Sequence, residues 1–214
     1  MSDLTLVFEM VDKLGEGSFG SVWRAIDKRN MKTVAIKFLK DHITSKEQCM
    51  NMIEIKSSVN LGRHPNIVHL KEVFMENNNA YLIFENMDCS LLHLMNRRCP
   101  RVFQEKEVRH YMFQLLMGLA HMHQQGYVHR DLKPENVLVD FDGLHVKIAD
   151  LGMAIKAAAR TGRNGYVGDG LYYGELFTFQ PLFLGSNSAD QIDKICGVIG
   201  RPSLKMWEEG VRRA

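Results

Sequence analysis

The run His129-Arg130-Asp131-Leu132-Lys133-Pro134-Glu135-Asn136 is followed, fourteen residues after its last member, by Asp150-Leu151-Gly152. Asp131 offers a carboxylate to orient or deprotonate a hydroxyl nucleophile, and Lys133 an ammonium to neutralise a phosphate as charge develops. Asn136 and Asp150 add two hard oxygen ligands of the kind magnesium accepts alongside phosphate oxygens. Together these residue types at this spacing point to phosphoryl transfer. His129 is the other candidate base, but an imidazole beside Arg130 reads as a packed structural group.

Two upstream patterns fit the same chemistry. Leu14 leads into Gly15-Glu16-Gly17-Ser18-Phe19-Gly20-Ser21-Val22, which lies between two expected strands. Glycines there let backbone amides fold over a polyanion without side-chain obstruction, although a tight hairpin explains the pattern alone. A dinucleotide fingerprint is excluded, because it needs a strand followed by a helix. Val34-Ala35-Ile36-Lys37 then puts an ammonium on a strand. Either Lys37 points outward from an edge, or it is buried and needs an anion, for which Glu54 on the next helix is available.

The positioning elements follow from periodicity and turn chemistry. Phe8 to Leu14, Ser21 to Ile26, Val34 to Leu39, Ile67 to Phe74 and Ala80 to Phe84 read as strands, the first three antiparallel and the last two joined at Asn77-Asn78-Asn79. Ser45 with Gln48 caps a helix whose apolar face is Cys49, Met52, Ile53 and Val59, ending near Gly62. Val108, Tyr111, Met112, Leu115, Leu119 and Met122 give a long core-facing helix stopped at Gly126. Val137 to Val139 and Leu144 to Ile148 flank an Asp142-Gly143 turn, which sets Asp150 just past a strand end. Met50, Met52 and Met112 read as core filler.

With 214 residues, 45% hydrophobic and 24% charged, the chain can bury a substantial core. The formal net charge of +2 argues against nucleic acid or an anionic membrane as partner. Cys49, Cys89, Cys99 and Cys196 form no Cys-x-x-Cys pair, so neither a zinc site nor a disulfide framework is expected. No stretch approaches about 18 apolar residues, and a cytoplasmic or nuclear location is the expectation. Lys156, Arg160 and Arg163 are either a solvated loop or a phosphate-docking surface.

These motifs together resemble the signature set of the eukaryotic protein kinase domain, from about residue 8 to residue 170. The fold so implied is α+β and bilobal, with a β-rich small lobe over residues 1–87 and a mainly helical, incomplete large lobe over 88–214. By the resemblance, Gly15, Gly17 and Gly20 cover ATP, Lys37 pairs with Glu54, and Asp131, Lys133, Asn136 and Asp150 serve chemistry and magnesium. Leu14, Val22, Ala35 and Leu138 enclose the adenine. Phe84 stands as gatekeeper, and Glu85 and Met87 lend backbone groups to the base. Lys133 followed by Pro134-Glu135-Asn136 resembles the serine/threonine version of the catalytic loop. The run from Pro181-Leu182-Phe183 to Ile199-Gly200-Arg201-Pro202 resembles the CMGC group, nearest the male germ cell-associated and intestinal cell kinase type. Protein substrates are the implied partners.

The chain also departs from the family. Leu151 stands where Phe is usual, and Ser58 where an apolar residue usually packs one turn after Glu54. Asn164-Gly165-Tyr166 resembles the Thr-x-Tyr activation site without its threonine, leaving Tyr166 to an upstream kinase. Gly168 to Gly174 then leads directly to Glu175-Leu176-Phe177, so roughly two dozen residues of the signature order, including Ala-Pro-Glu, have no counterpart. The last large-lobe helices are likewise expected to be missing. Loss of that platform should expose apolar surface around Leu115 and Leu119 and impair turnover, giving as alternative a nucleotide-binding, catalytically weak module.

Overall fold

A computed structural model describes residues 3–17, 20–39, 43, 45–156, 190 and 194. A short helix α1 (Asp3–Val7) precedes strands β1 (Phe8–Gly17), β2 (Gly20–Asp27) and β3 (Lys32–Leu39). Helices α2 (Lys46–Asn51) and α3 (Ile53–Leu61) lead to β4 (Leu70–Glu76) and β5 (Asn79–Glu85). The five strands form one antiparallel sheet in the order β1-β2-β3-β5-β4. Beyond it lie β6 (Cys89–Ser90), α4 (Leu91–Arg98), α5 (Glu105–Gln124), β7 (Tyr127–Val128), β8 (Val137–Val139), β9 (Val146–Ile148) and β10 (Ile155–Lys156).

Strand alternation decides what each face of the sheet carries. Val34, Ile36 and Ile83 pack with Phe8, Ala25 and Leu4 on one side. Leu39, Ala80 and Leu82 face the other way, against Ile43, Cys49 and Ile55. Lys37 lies two residues from Leu39 and is registered opposite Leu82, so it must point to the side of α3. Ala35, opposite Phe84, shares that face.

The helix expected from Ser45 to Gly62 is two helices. Ser45 does cap the first, accepting from the Gln48 amide at 3.0 Å. Met52 then adopts extended angles (φ −60°, ψ 139°) and restarts the helix as α3. Cys49 and Met52 pack inward as expected, but the restart shifts the phase of the 3.6-residue repeat, so beyond it the expected face fails: Ile53 and Val59 are exposed, while Glu54, Ile55, Ser58 and Leu61 turn inward. Met50 is also exposed rather than core. The shift is what makes Glu54 inward-facing, in the first turn where the helix dipole favours a carboxylate.

Helix α5 carries the expected stripe, with Val108, Tyr111, Leu115 and Met122 buried and Met112 and Leu119 packed against them. Leu115 is therefore covered, contrary to expectation. The exposed apolar residues of α5 are Phe113, Leu116 and Met117, on its other side. Gly118 allows the helix to lie against β9, since a Cβ there would stand 2.8 Å from the Asn66 carbonyl oxygen and 2.9 Å from Ile148. Buried Asn66 fastens the contact, donating to Gln114 Oε1 and the Val146 carbonyl. The β8–β9 connection is longer than expected, because Leu144 and His145 belong to the loop and β9 begins at Val146. Likewise β4 begins at Leu70; Ile67 instead makes a parallel bridge to Ile148.

Candidate active site

A cleft of about 890 Å³ opens between the sheet and the helical part. Every residue singled out from the sequence for catalysis, nucleotide or metal borders it, from Leu14 and Gly15 on β1 to Asp150 after β9. Lys37 and Glu54, each under a tenth exposed, meet as a two-pronged ion pair, Nζ donating to Oε1 at 2.8 Å and Oε2 at 2.7 Å. The same ammonium donates to Asp150 Oδ1 at 2.9 Å. Burial alone would lower the Lys37 pKa, but the Glu54 and Asp150 carboxylates outweigh it and the net shift is upward. Glu54 is pushed above the usual carboxylate range by its burial, with Lys37 pulling against that.

The catalytic-loop residues are held by their own backbone. His129 is fully buried, directing Nε2 at the Ala149 carbonyl and accepting the Asp131 amide at Nδ1. It is a structural strut, as its neighbourhood suggested. Asp131 Oδ2 accepts from Asn136 Nδ2 at 2.9 Å and from Lys133 Nζ at 2.9 Å. The hydrogen bond to Asp131, more than burial opposes it, raises the Lys133 pKa. Asn136 Nδ2 also donates to the Asp131 carbonyl, so the amide hydrogens are committed and Oδ1 is the atom left for a cation. Asp150 adds a carboxylate one-third exposed to the cleft. This all-oxygen pair suits a hard divalent ion.

Backbone conformation explains two of the motif positions. Asp150 sits at φ 58°, ψ 72°, a strained region for a non-glycine residue that functional sites tend to hold. A Cβ on Gly152 would come within 3.3 Å of Asp150 Oδ1 and 3.6 Å of Glu54 Oε2, so glycine keeps that carboxylate corner open. In the Gly-rich turn only Gly20 is required by the protein itself: its φ is +151°, and a Cβ would stand 1.9 Å from the Phe38 carbonyl. Gly15 and Gly17 have open space where a side chain would be.

Glu85 lines the cleft, but its carboxylate is turned away to the His69 amide and Lys147 Nζ, and its N–H donates to the His69 carbonyl. Ser58 borders the cleft and back-bonds to the Glu54 carbonyl at 2.7 Å, and the Lys37–Glu54 pair is formed beside it. Sequence reasoning missed Val68 and Ile148, which floor the cleft through the 2.8 Å bond from Val68 N–H to the Ile148 carbonyl. That pairing joins residues far apart in sequence, and no local signal announces it. Arg160, Arg163 and Tyr166 lie outside the described residues, as does the CMGC-like run from Pro181 apart from Asp190 and Lys194.

A β-rich sheet and a helical part enclosing such a cleft define the protein kinase fold. The family model of the protein kinase domain matches residues 8–177, and the chain belongs to that family. It is 42% identical over 231 residues to cyclin-dependent kinase F-4 of Oryza sativa subsp. japonica, covering 97% of this chain and 50% of that one. It is 38% identical over 226 residues to serine/threonine-protein kinase MAK of Rattus norvegicus, covering 94% of this chain and 36% of that one. Serine/threonine-protein kinase ICK of the same organism is 38% identical over 227 residues, covering 95% and 36%. The chain is of the serine/threonine, CMGC type, as the resemblance implied. It spans half or less of the length of these three relatives. Each alignment is longer than the 214 residues of the chain, so the relatives carry residues without counterpart here, as the gap in the motif order implied. The family uses ATP and a divalent metal and acts on proteins.

Proposed function

We propose that this chain transfers the γ-phosphoryl group of magnesium-bound ATP to serine or threonine hydroxyls of protein substrates. The observation that carries the reading is the joining of Lys37, Glu54 and Asp150 by charged hydrogen bonds, across 113 residues of sequence, in the cleft that Asp131 and Asn136 also border. Gly15 and Gly17 need glycine neither for their backbone angles nor for a protein neighbour, so the approach of a ligand is the remaining reason for it. That turn would cover the phosphates, and Lys37 would reach them from β3 while Glu54 holds its ammonium in place. Asn136 Oδ1 and the Asp150 carboxylate would hold magnesium, which would neutralise phosphate charge when bound. Asp131 orients the attacking hydroxyl and accepts its proton, and Lys133 steadies the transferred group. Val22, Ala35 and Leu138 sandwich the adenine beneath Leu14, beside Phe84, with Glu85 and Met87 presenting backbone groups. Tyr166 is the site on which an upstream kinase would act.

A second reading, nucleotide binding with little transfer, is favoured by one observation: Phe113, Leu116 and Met117 stand exposed on α5, next to the stripe that braces the catalytic loop. Positioning is most of phosphoryl-transfer catalysis, and a displacement of about 1 Å can cost roughly 100-fold. Calorimetric titration with ATP and magnesium, followed by single-turnover transfer to a generic basic protein with Asp150→Asn as control, separates the two. Metal-dependent binding with Asp150-dependent transfer supports the kinase reading. Binding without transfer supports the second, and no binding sinks both.

A further inference from the structure

A second concavity, of about 390 Å³, meets the main cleft at Glu85, which borders both. Its other charged and titratable walls come from the turn after α3 (Arg63, His64), the residue before β4 (His69), β4 itself (Lys71) and β9 (Lys147). Lys147 is neutralised by Glu85, Nζ to Oε1 at 2.9 Å. Arg63 donates Nε to His69 Nε2 at 3.1 Å, which leaves its terminal nitrogens facing solvent and puts the His69 proton on Nδ1. Lys71 is exposed, and no described residue accepts a hydrogen bond from its ammonium or pairs with it. Two cations, Arg63 and Lys71, thus stand uncompensated around one hollow. The histidines register the same field: after burial, Arg63, Lys71 and Lys147 hold His69 below the ordinary imidazole range despite Glu85, and His121 and Lys147 act on His64. Gathering like charge in a concave site costs self-repulsion and focuses the field on an incoming anion.

We propose that this hollow is a docking site for a phosphorylated segment of a partner protein, the phosphomonoester seated between Arg63 and Lys71. Phosphomonoesters carry about 1.5 to 2 negative charges at pH 7, which matches two free cations where a carboxylate would match one. The guanidinium fork of Arg63 suits phosphate oxygens bidentately. A membrane surface fits less well, because lipid-binding patches gather about four to eight basic residues, whereas here two are free. Neither Arg63 nor Lys71 borders the nucleotide-sized cleft, so docking and ATP binding can be separated by mutation.

The test uses the full chain and a short fluorescein-labelled Gly/Ser peptide carrying one phosphoserine, read by fluorescence polarisation. Its unphosphorylated form, inorganic phosphate and phosphatidylserine vesicles are the comparison arms. The expected result is saturable binding at least about tenfold tighter for the phosphopeptide than for its unphosphorylated form, lost by a similar factor in Arg63→Gln/Lys71→Gln while ATP affinity is kept. Amide shifts of Lys71 and His69 should report the same site. Equal binding of the two peptides, undiminished binding by the double variant, or binding of inorganic phosphate or vesicles alone would overturn the proposal.

Discussion

Replacing Lys37 by Met leaves Glu54, 6% exposed, without the ammonium that contacts both of its oxygens. Removing one partner of a buried pair typically costs about 3–5 kcal/mol, because the remaining charge is stranded. Replacing Glu54 by Gln is different. Lys37 keeps Asp150 Oδ1 at 2.9 Å, and the new amide oxygen can still accept, so the cost should be about 1–2 kcal/mol. The two halves of one ion pair are therefore expected to differ by about 2 kcal/mol, or roughly 1 M in urea midpoint for a slope near 2 kcal/mol per molar. The Lys37→Met penalty should also depend on pH. A carboxyl whose folded pKa lies above its unfolded one is penalised only once pH rises past the unfolded value, so the cost should be smaller at pH 5 than at pH 8. Burial already raises Glu54 with Lys37 present, and without it nothing opposes the rise. The double variant should recover most of the loss. Urea unfolding followed by circular dichroism at both pH values measures all three chains. A Glu54→Gln cost equal to or above that of Lys37→Met, or a Lys37→Met cost independent of pH, would refute the assignment of the burden to the stranded carboxylate.

Three further outcomes are expected. Gly20→Ala should destabilise the sheet by about 1–3 kcal/mol, since its Cβ would collide with the Phe38 carbonyl, whereas Gly15→Ala should leave thermal stability nearly unchanged and weaken ATP binding in calorimetry. Gly118→Ala would ordinarily gain up to about 1 kcal/mol in a helix, but the Asn66 backbone oxygen at 2.8 Å cannot yield, so overpacking of about 1–3 kcal/mol should win and lower the melting temperature. Asp27 is held at about 2 by Arg29, chiefly through their side-chain hydrogen bonds, against the opposing effect of burial. Its contribution is therefore present above pH ~4 and lost as pH falls toward 2, and the stability gap between the wild type and Asp27→Asn should close over that window in acid titrations.

How far the residues alone revealed the fold varied with the range of the interaction. Ser45 and Gln48 were readable as a cap because capping is a contact between neighbours. The stripe on α5 was readable because one buried face repeats with the helix. The break at Met52 was not, since no proline or glycine marks it, and it moved every later inward position of α3 by a fraction of a turn. The same limit hid the floor of the cleft, where Val68 and Ile148 are brought together beside an isolated bridge between segments far apart in sequence.

The candidate chemistry was legible in the residues alone. Asp131, Lys133, Asn136 and Asp150 sit in short segments whose spacing is a local property of the chain, and family membership follows from the same motifs. Packing settled which anion Lys37 meets, where the Glu85 carboxylate turns, and that Arg63 and Lys71 face one hollow with two histidines. Those outcomes depend on sheet order, helix phase and burial, which arise when segments far apart in sequence pack together, and charge–charge energies at such contacts are set by a dielectric that only packing creates.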